Sequence, residues 1–315
     1  MGSEFDLIAC LRSRAATRED VALGIGDDAA LLAVPAGHQL VVSTDTLNAG
    51  VHFLHETAPV DIGWKSLAVN LSDLAAMGAS PAWCTLSLSL PHADQAWLHG
   101  FLDGFLALAD REGIALVGGD TTRGPLAIGV TAMGLVETGA ALRRDGARVG
   151  DDVWVTGTLG DAAHALAALM AGDDPAPATR IRLDRPQPRL QAGRRLQGLA
   201  HSCIDLSDGL LADLGHVCVR SGVGAEVELA ALPASPALGQ LEAQARWNLQ
   251  GAGGDDYELC FTAPPHLRRD LEQAMDFAGT GATRIGRIVA GTGARALDPS
   301  GQAWRPRTSG FEHFS

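Results

Sequence analysis

The sequence predicts a mixed α/β fold, of α/β or α+β type, built from two domains. The chain has 315 residues, roughly two ordinary domains, and 46% of them are hydrophobic, which is enough for two cores. Runs rich in β-formers alternate with segments of helical periodicity in both halves. A turn at Gly150-Asp151-Asp152 precedes a new strand. We therefore predict an N-terminal domain at 1–149 and a C-terminal domain at 150–315.

The N-terminal domain opens with a short helix, a loop, a strand and a longer helix. Residues 5–14 have amphipathic spacing, and the glycine-rich acidic loop at 24–28 follows them. Residues 40–46 form a β-rich run ending in hydroxyls and a carboxylate. From Asp61, which can N-cap a helix, apolar residues recur with the 3.6-residue period until Gly78.

The remainder of this domain alternates strand and helix. Residues 83–90 alternate like a strand, 94–113 have helical spacing, and 126–136 form a further strand. The apolar run at 114–117 predicts a short strand that breaks into a turn at Gly118-Gly119-Asp120-Thr121-Thr122-Arg123-Gly124.

The C-terminal domain restarts with a strand at 153–156 and a helix that ends at Met170. Residues 172–188 are rich in Pro and Asp and predict an exposed loop. Two acidic motifs come next. The motif at 203–209 precedes an amphipathic helix, and the motif at 253–258 precedes a strand.

Composition excludes several classes of function. The net charge of −13 argues against nucleic-acid or anionic-membrane partners. No apolar run reaches the ~18 residues of a membrane span, and Glu4 and Asp6 interrupt a basic signal start, so we expect a cytoplasmic protein. The five cysteines include no C-x-x-C pair, which favours reduced, packed thiols. Lys65 is the sole lysine and lies in no Walker A motif.

Aspartates recur at Gly turns or beside Ser and Thr, close to apolar elements. They are Asp27, Asp28, Asp45, Asp73, Asp120, Asp205, Asp208, Asp255 and Asp256. Gathered in space they would repel one another, and divalent cations would relieve that repulsion. Oxygen ligands without thiolate or imidazole select Mg²⁺ or Mn²⁺. His52 and His55 lack a further ligand of their kind nearby, so zinc is disfavoured.

The cations imply phosphate chemistry. Mg²⁺ takes few protein carboxylates and completes its coordination shell with waters and substrate phosphates. The two glycines before Asp120 allow backbone N–H groups to approach an anion, and Arg123 could bind phosphate or pair with a carboxylate. The pattern therefore predicts phosphoryl transfer by positioning and charge neutralisation, without a protein nucleophile.

Structural interpretations stay open for three segments. The loop at 24–28 could be a plain acidic turn, and Ser66, Asn70 and Asp73 could form a solvated helix face. The junction at 157–160 could bind an anion at a helix start, although a structural role is favoured there.

An ordered set of motifs resembles the thiamine-monophosphate kinase family of the AIR-synthetase-like ATP-binding superfamily. The motifs are GIGDDAALL, STDTLNAGVHF, LAVNLSDLAAMGASP, GGDTTRGP, IDLSDGL, GGDDYELCF and SGFEHF, which span about residues 5–314. The resemblance implies transfer of a phosphoryl group from ATP to thiamine monophosphate, giving thiamine diphosphate and ADP. It also implies a homodimer whose N-terminal domains form a shared β-barrel flanked by helices, with a C-terminal α/β domain that closes the active site.

The resemblance also implies roles for individual residues. Ligands for several Mg²⁺ ions would be Asp28, Ser43, Thr44, Asp45, Asp73, Asp120, Asp205 and Asp208, with Asp120 and Asp208 central. Contacts to ATP would come from Gly119, Asp120, Arg144 and Ser207, and contacts to the thiamine phosphate from His52, Asp255 and Phe311. Many relatives have glutamate in place of Asp255. An aromatic ring such as Phe311 can cover a cationic thiazolium.

Two alternative functions remain at this point. Another ATP-dependent member of the superfamily, similar to AIR synthetase or selenophosphate synthetase, would share the magnesium motifs. Selenophosphate synthetase expects a reactive cysteine in a glycine-rich N-terminal loop, whereas Cys10 lies on a helix-like segment. A non-catalytic magnesium- or nucleotide-binding module would gain thermal stability from the metal but would release no ADP.

Overall fold

The computed structural model describes residues 10–16, 18–307 and 310, which fall into two compact units. The first unit comprises the described residues within Met1–Leu74 and Ala79–Gly139, and the second those within Ala75–Gly78 and Ala140–Ser315. The turn at Gly150 lies inside the second unit, just before its first strand. Within the described residues, no helix has both the length and the apolar character needed to cross a membrane.

The first unit is a four-stranded sheet with two long helices and a small hairpin. Its elements are β1 (Val21–Leu23), β2 (Leu31–Leu32), β3 (His38–Asn48), α1 (Pro59–Ala76), β4 (Ser80–Leu90), α2 (Gln95–Glu112), β5 (Ala115–Arg123) and β6 (Ala127–Glu137). The sheet has the order β3-β6-β4-β5, in which β4 and β5 are parallel and the other neighbours antiparallel. Residues 10–14 are helical, in agreement with the prediction for that part of 5–14.

Glycines let the two helices of this unit touch. A Cβ on Gly63 of α1 would lie 1.9 Å from the Phe101 carbonyl oxygen, and one on Gly104 of α2 would lie 1.7 Å from that of Val60. The predicted limits of α2 are confirmed, since Asp94 caps its start and Gly113 ends it in the left-handed conformation. The N-cap predicted at Asp61 is wrong. Helix α1 already begins at Pro59, whose ring suits a first turn, and Asp61 lies within that turn.

Strand β5 continues through the segment predicted to be a turn. It stays paired with β4 as far as Arg123, with a bulge at Val117. Gly119 has a φ of 152°, and a Cβ there would lie 1.8 Å from the Leu86 carbonyl oxygen. The predicted turn is therefore wrong, because Gly119 serves close pairing of two strands and does not reverse the chain.

One face of this sheet is buried and the other is partly exposed. Along β6, Ile128, Val130 and Ala132 are fully buried, while the residues between them are partly accessible. On β3, Leu40 and Val42 are 43% and 55% exposed. The period of two thus gives this sheet a second face with exposed apolar side chains.

The second unit is a seven-stranded, mostly antiparallel sheet with helices. Its elements are β7 (Asp152–Thr156), α3 (Asp161–Met170), α4 (Pro177–Asp184), α5 (Leu190–Leu196), β8 (Ser202–Asp205), α6 (Leu210–Ser221), β9 (Gly224–Glu228), α7 (Ala243–Ala252), β10 (Leu259–Ala263), α8 (Arg268–Phe277), β11 (Ala282–Val289), β12 (Gly293–Leu297) and β13 (Ala303–Trp304). The strand order is β13-β12-β9-β11-β7-β10-β8, and β9 and β12 run parallel. Strands β7, β8 and β11 and helix α6 supply apolar side chains to one core.

The loop predicted at 172–188 contains a helix. Pro177 occupies the start of α4, where its missing N–H costs no hydrogen bond. Thr179, Leu183 and Asp184 are buried on that helix. The prediction of an exposed loop is wrong here because a proline taken as a breaker is instead a helix start.

Candidate active site

A cavity of about 470 Å³ in the first unit brings together two of the predicted motifs. The loop at 24–30 forms one wall, and β4 and β5 form the other. Its lining includes Asp28, Gly119 and Asp120, which were predicted from separate parts of the sequence, together with Asp27. Leu11, Ile25, Leu116 and Val117 add apolar surface. The cavity therefore combines carboxylates and glycine backbone with an apolar wall, a lining that suits a nucleotide.

Two short hydrogen bonds shape the acidic walls. The Asp28 N–H donates to Asp27 Oδ1 at 2.8 Å, and the Thr121 N–H donates to Asp120 Oδ1 at 2.9 Å. Asp27 thus stabilises the backbone of the loop at Asp28, which is a structural role. All three aspartates are exposed, as expected for side chains that meet a ligand.

A second polar cluster in the first unit joins β3 to α1. The Ser43 hydroxyl donates to Asp73 Oδ2 at 2.5 Å, and the Asp45 N–H donates to Asn70 Oδ1 at 3.1 Å. Ser43 and Asp45 are two residues apart on a strand, so both side chains face the helix. Ser66 and Asn70 are fully buried. The alternative of a solvated helix face for Ser66, Asn70 and Asp73 is therefore wrong.

The electrostatics of this cluster suit a divalent cation. Burial, followed by the charge of Asp73, raises the pKa of Asp45 to about 6. The side-chain oxygens of Ser43, Asp45, Asp73 and Asn70 meet here, and oxygen ligands are those that Mg²⁺ prefers. Among residues 10–16, 18–307 and 310, no three His, Cys, Asp or Glu side chains converge as they would around a metal ion. The carboxylates of the first unit thus suit Mg²⁺ by their chemistry, but they do not form a complete coordination sphere among the described residues.

Thr44 lies on the other side of β3. Its hydroxyl donates to the Val130 carbonyl at 3.1 Å and accepts from the Thr131 hydroxyl at 3.0 Å. Side chains alternate along a strand, so Ser43 and Asp45 share one face of β3 and the Thr44 side chain lies on the opposite face. Any ligation by Thr44 would have to use its backbone carbonyl.

His52 follows β3 in a turn and is half-buried. Its Nδ1 accepts from the Asn48 N–H at 2.9 Å. A neutral ring that accepts at Nδ1 carries its proton on Nε2. In that form the ring N–H of His52 is at Nε2.

The two acidic motifs of the second unit lie side by side. The Asp255 N–H donates to the Ser207 carbonyl at 2.9 Å, and the Tyr257 N–H donates to that of Leu206 at 2.8 Å. Strands β8 and β10 pair next to these loops, with Asp205 opposite Leu259. Ser207, Asp208 and Asp255 are therefore held in adjacent loops at one end of the sheet.

Asp213 supports this pair of loops and was missed by the sequence analysis. Its Oδ2 accepts the N–H groups of Asp208 and Gly209, each at 3.1 Å. Burial and the charge of Asp208 raise the pKa of Asp213 to about 7, although the positive charge of Arg144 acts in the opposite direction. The sequence does contain a signal for this role, because Asp213 lies in the first turn of a helix. Acidic side chains at that position commonly accept hydrogen bonds from the N–H groups at the helix start.

Asp256 and Glu258 are structural and do not point to a ligand. Both Asp256 oxygens accept the Gly160 N–H, at 2.9 and 3.0 Å, and burial raises the pKa of Asp256 well above its usual range. A carboxylate of the protein thus occupies the helix start at 157–160, which supports the structural role favoured for that junction. Glu258 is fully buried and pairs with Arg182 and Arg189.

The loop that carries Asp256 and Glu258 is strained. Asp255 and Tyr257 have φ angles of 67° and 49°, in the left-handed region that non-glycine residues seldom occupy. Such conformations cost roughly 1 to 3 kcal/mol each and tend to occur at functional sites.

Phe311 lies outside the described residues. Gly310, which precedes it, has a φ of 97°, and a Cβ there would lie 3.0 Å from the Asp208 carbonyl oxygen. The Arg307 N–H donates to Asn248 Oδ1 at 2.9 Å. Gly310 therefore lies beside the loop that carries Ser207 and Asp208.

Comparison with known proteins identifies the family. The model of the AIR synthase related protein N-terminal domain matches residues 26–136, and that of the C-terminal domain matches 148–298. The thiamine-monophosphate kinase of Escherichia coli (strain K12) is 47% identical over 321 residues, which cover 99% of this chain and 98% of the relative. The chain belongs to the thiamine-monophosphate kinase family.

Solved structures agree with this membership. The crystal structure of thiamine-monophosphate kinase from Stenotrophomonas maltophilia K279a has a TM-score of 0.88 at 54% identity, covering 96% of this chain and 98% of that one. A structure described as AaThiL complexed with AMPPCP and TMP has a TM-score of 0.79 at 30% identity, covering 99% and 97%. The resemblance to the thiamine-monophosphate kinase family and the two-domain α/β fold are thereby confirmed.

Proposed function

We propose that this chain is an ATP-dependent kinase that converts thiamine monophosphate to thiamine diphosphate and releases ADP. The observation that carries the proposal is its similarity, over essentially the full length of both chains, to kinases of that name. The relative solved with AMPPCP and TMP supports the choice of both substrates. The lining of the cavity in the first unit is consistent with a nucleotide.

ATP would be bound by backbone and by a few side chains. Gly119 would offer its backbone to the phosphates from the cavity wall, and Asp120 lies next to it. The guanidinium of Arg144 and the hydroxyl of Ser207 would donate hydrogen bonds to the nucleotide. These contacts would position the terminal phosphoryl group, and no side chain would act as a nucleophile, so the transfer would be direct and in line.

Several Mg²⁺ ions would be held by the oxygen donors already described. These are the side chains of Asp28, Ser43, Asp45, Asp73, Asp120, Asp205 and Asp208 and the backbone of Thr44. When bound, Mg²⁺ would neutralise charge on the phosphates and favour the transfer. The raised pKa of Asp45 supports this role, because two carboxylates in one half-buried cluster gain from a cation.

The acceptor would be the phosphate of thiamine monophosphate. One of its oxygens forms a bond to the γ-phosphorus of ATP while the bond from that phosphorus to the β,γ-bridging oxygen breaks, and ADP leaves with the electron pair. His52 and Asp255 would hold the acceptor, and the Phe311 ring would cover the cationic thiazolium. No protein side chain becomes phosphorylated in this scheme.

A coupled assay of ADP release tests the proposal. With ATP and Mg²⁺, thiamine monophosphate should give steady ADP release and thiamine diphosphate, whereas free thiamine should give neither, because it lacks the acceptor phosphate. A non-catalytic binding module would instead show Mg²⁺-dependent thermal stabilisation without ADP. Robust phosphorylation of free thiamine would contradict the assigned acceptor.

We also propose that the chain works as a homodimer in which the first-unit sheets of two copies form a barrel flanked by helices. The partly exposed sheet face supports this, because Leu40 and Val42 lie on it opposite Leu135 and Met133 of β6.

The four buried free thiols support a reducing compartment, which we take to be the cytoplasm.

Val42→Asp should convert the dimer to a monomer, because it places a charge in the proposed apolar interface while the side chain of an isolated copy stays in water. Light scattering at micromolar concentration measures the change, and circular dichroism checks the fold. Val219→Asp, at a position 76% exposed on α6, is the matched control. It should leave the particle mass in solution at that of the dimer. A wild-type chain that is already monomeric would contradict the proposal.

A further inference from the structure

Side chains alternate sharply in the loop at 253–258. Asp256 and Glu258 are buried, whereas Asp255 and Tyr257 are only partly buried. The two buried carboxylates anchor the loop from within the second unit, at the Gly160 N–H and at two arginines. Asp255 and Tyr257 are therefore presented together on the accessible side of an anchored segment.

The backbone of this loop is fixed at both presented residues. Each donates its N–H to the neighbouring loop, Asp255 to Ser207 and Tyr257 to Leu206. Both occupy the left-handed region, where the surrounding bonds must hold them. The position of the Asp255 Cα is thus set by the backbone, and only the direction of its carboxylate is left to side-chain contacts.

Tyr257 supplies such a contact. Its hydroxyl donates to Asp255 Oδ1 at 3.1 Å, and it is the single tyrosine of the chain. A hydrogen bond to a charged acceptor is stronger than one between neutral groups, so it restricts rotation of the carboxylate. Because Oδ1 accepts the hydrogen bond from Tyr257, the orientation of the whole Asp255 carboxylate, including Oδ2, is restricted.

We propose that Tyr257 is a positioning residue that orients the Asp255 carboxylate toward thiamine monophosphate. The inference rests on the proposed function, since it assumes that Asp255 contacts that substrate. Tyr257 acts through Asp255 and does not affect the binding of ATP. Preorganisation of this kind lowers the ordering cost of substrate binding, so its loss should appear mainly in the KM for the acceptor.

A double-mutant cycle tests the coupling. Tyr257→Phe removes only the hydroxyl, and Asp255→Gly removes the carboxylate at a φ of 67° that glycine tolerates. Tyr257→Phe should raise the KM for thiamine monophosphate about tenfold, with kcat and the KM for ATP changed less than about twofold. In the Asp255→Gly background the same substitution should change nothing further.

A matched control removes a similar bond elsewhere in the second unit. The Ser300 hydroxyl donates to Asp298 Oδ1 at 2.6 Å in an exposed turn, so Ser300→Ala should leave both KM values unchanged. Additive effects in the cycle, or a wild-type KM in Tyr257→Phe, would overturn the inference. Failure of the proposed function is distinct, because the wild-type protein itself would then release no ADP with thiamine monophosphate.

Discussion

Asp120→Asn is expected to lower ADP release with thiamine monophosphate by about 10²- to 10³-fold while leaving the fold intact. The substitution keeps the size of the side chain and an oxygen that can still accept the Thr121 N–H, now 2.9 Å from Asp120 Oδ1. It removes a negative charge from the wall of the cavity, where that charge would serve a cation shared with the ATP phosphates. Steady-state turnover at saturating Mg²⁺ measures the effect, and thermal melting checks the fold.

The matched control is Asp110→Asn. Asp110 is an exposed carboxylate at the end of α2 in the same unit, outside the cavity lining. Turnover of this variant should stay within about twofold of wild type, since surface substitutions away from special features have small effects. If Asp120→Asn turned over as fast as Asp110→Asn, the central role of Asp120 would be wrong.

Periodicity predicted the long strands and helices of the first unit and fewer elements of the second, and two of its wrong predictions have physical causes. Glycine pairs normally indicate a turn, yet Gly118 and Gly119 lie inside β5, and at Gly119 Leu86 approaches too closely for a Cβ. Prolines between 172 and 188 indicate a loop by their composition, yet Pro177 starts α4. The contact at Gly119 comes from a residue distant in sequence, which no local pattern reveals, whereas proline at a helix start is a local signal.

The structure brings several of the predicted site residues together, and their roles stay predictions. Asp28, Gly119 and Asp120 line one cavity, and Ser43 and Asp73 share a hydrogen bond, as their common chemistry suggested. Alternation along β3 could have separated Thr44 from its neighbours before the structure was known, because the period of two is a local property.

The supporting residues could not be predicted in the same way. Asp256 has the same glycine-rich context as Asp255, but one is buried against Gly160 and the other is accessible. That division depends on which side of the loop faces the core, which is set by Glu258 and its two arginines. Arg182 lies on a helix that the sequence analysis had assigned to a loop. Chemistry alone could therefore propose residues for binding, whereas the residues that support them could be identified only from the structure.

The second large effect is expected for Glu258→Gln, which should lower the free energy of unfolding of the second unit by about 3 kcal/mol. Glu258 has no exposed surface and accepts from Arg182 at 2.7 Å, from Arg189 Nε at 2.6 Å and from the Thr156 hydroxyl at 2.6 Å. The amide keeps the shape but leaves two largely buried guanidinium groups without a carboxylate. Urea unfolding followed by far-UV circular dichroism measures the loss.

Glu228→Gln is the control for this prediction, because Glu228 forms an exposed ion pair with Arg284 at 3.7 Å. Exposed pairs contribute little, so its unfolding free energy should change by less than about 0.5 kcal/mol. Equal stability of the two variants would mean that the buried cluster does not anchor the second unit. The same cluster holds the loop that presents Asp255, so Glu258→Gln should also raise the KM for thiamine monophosphate at temperatures where the protein remains folded.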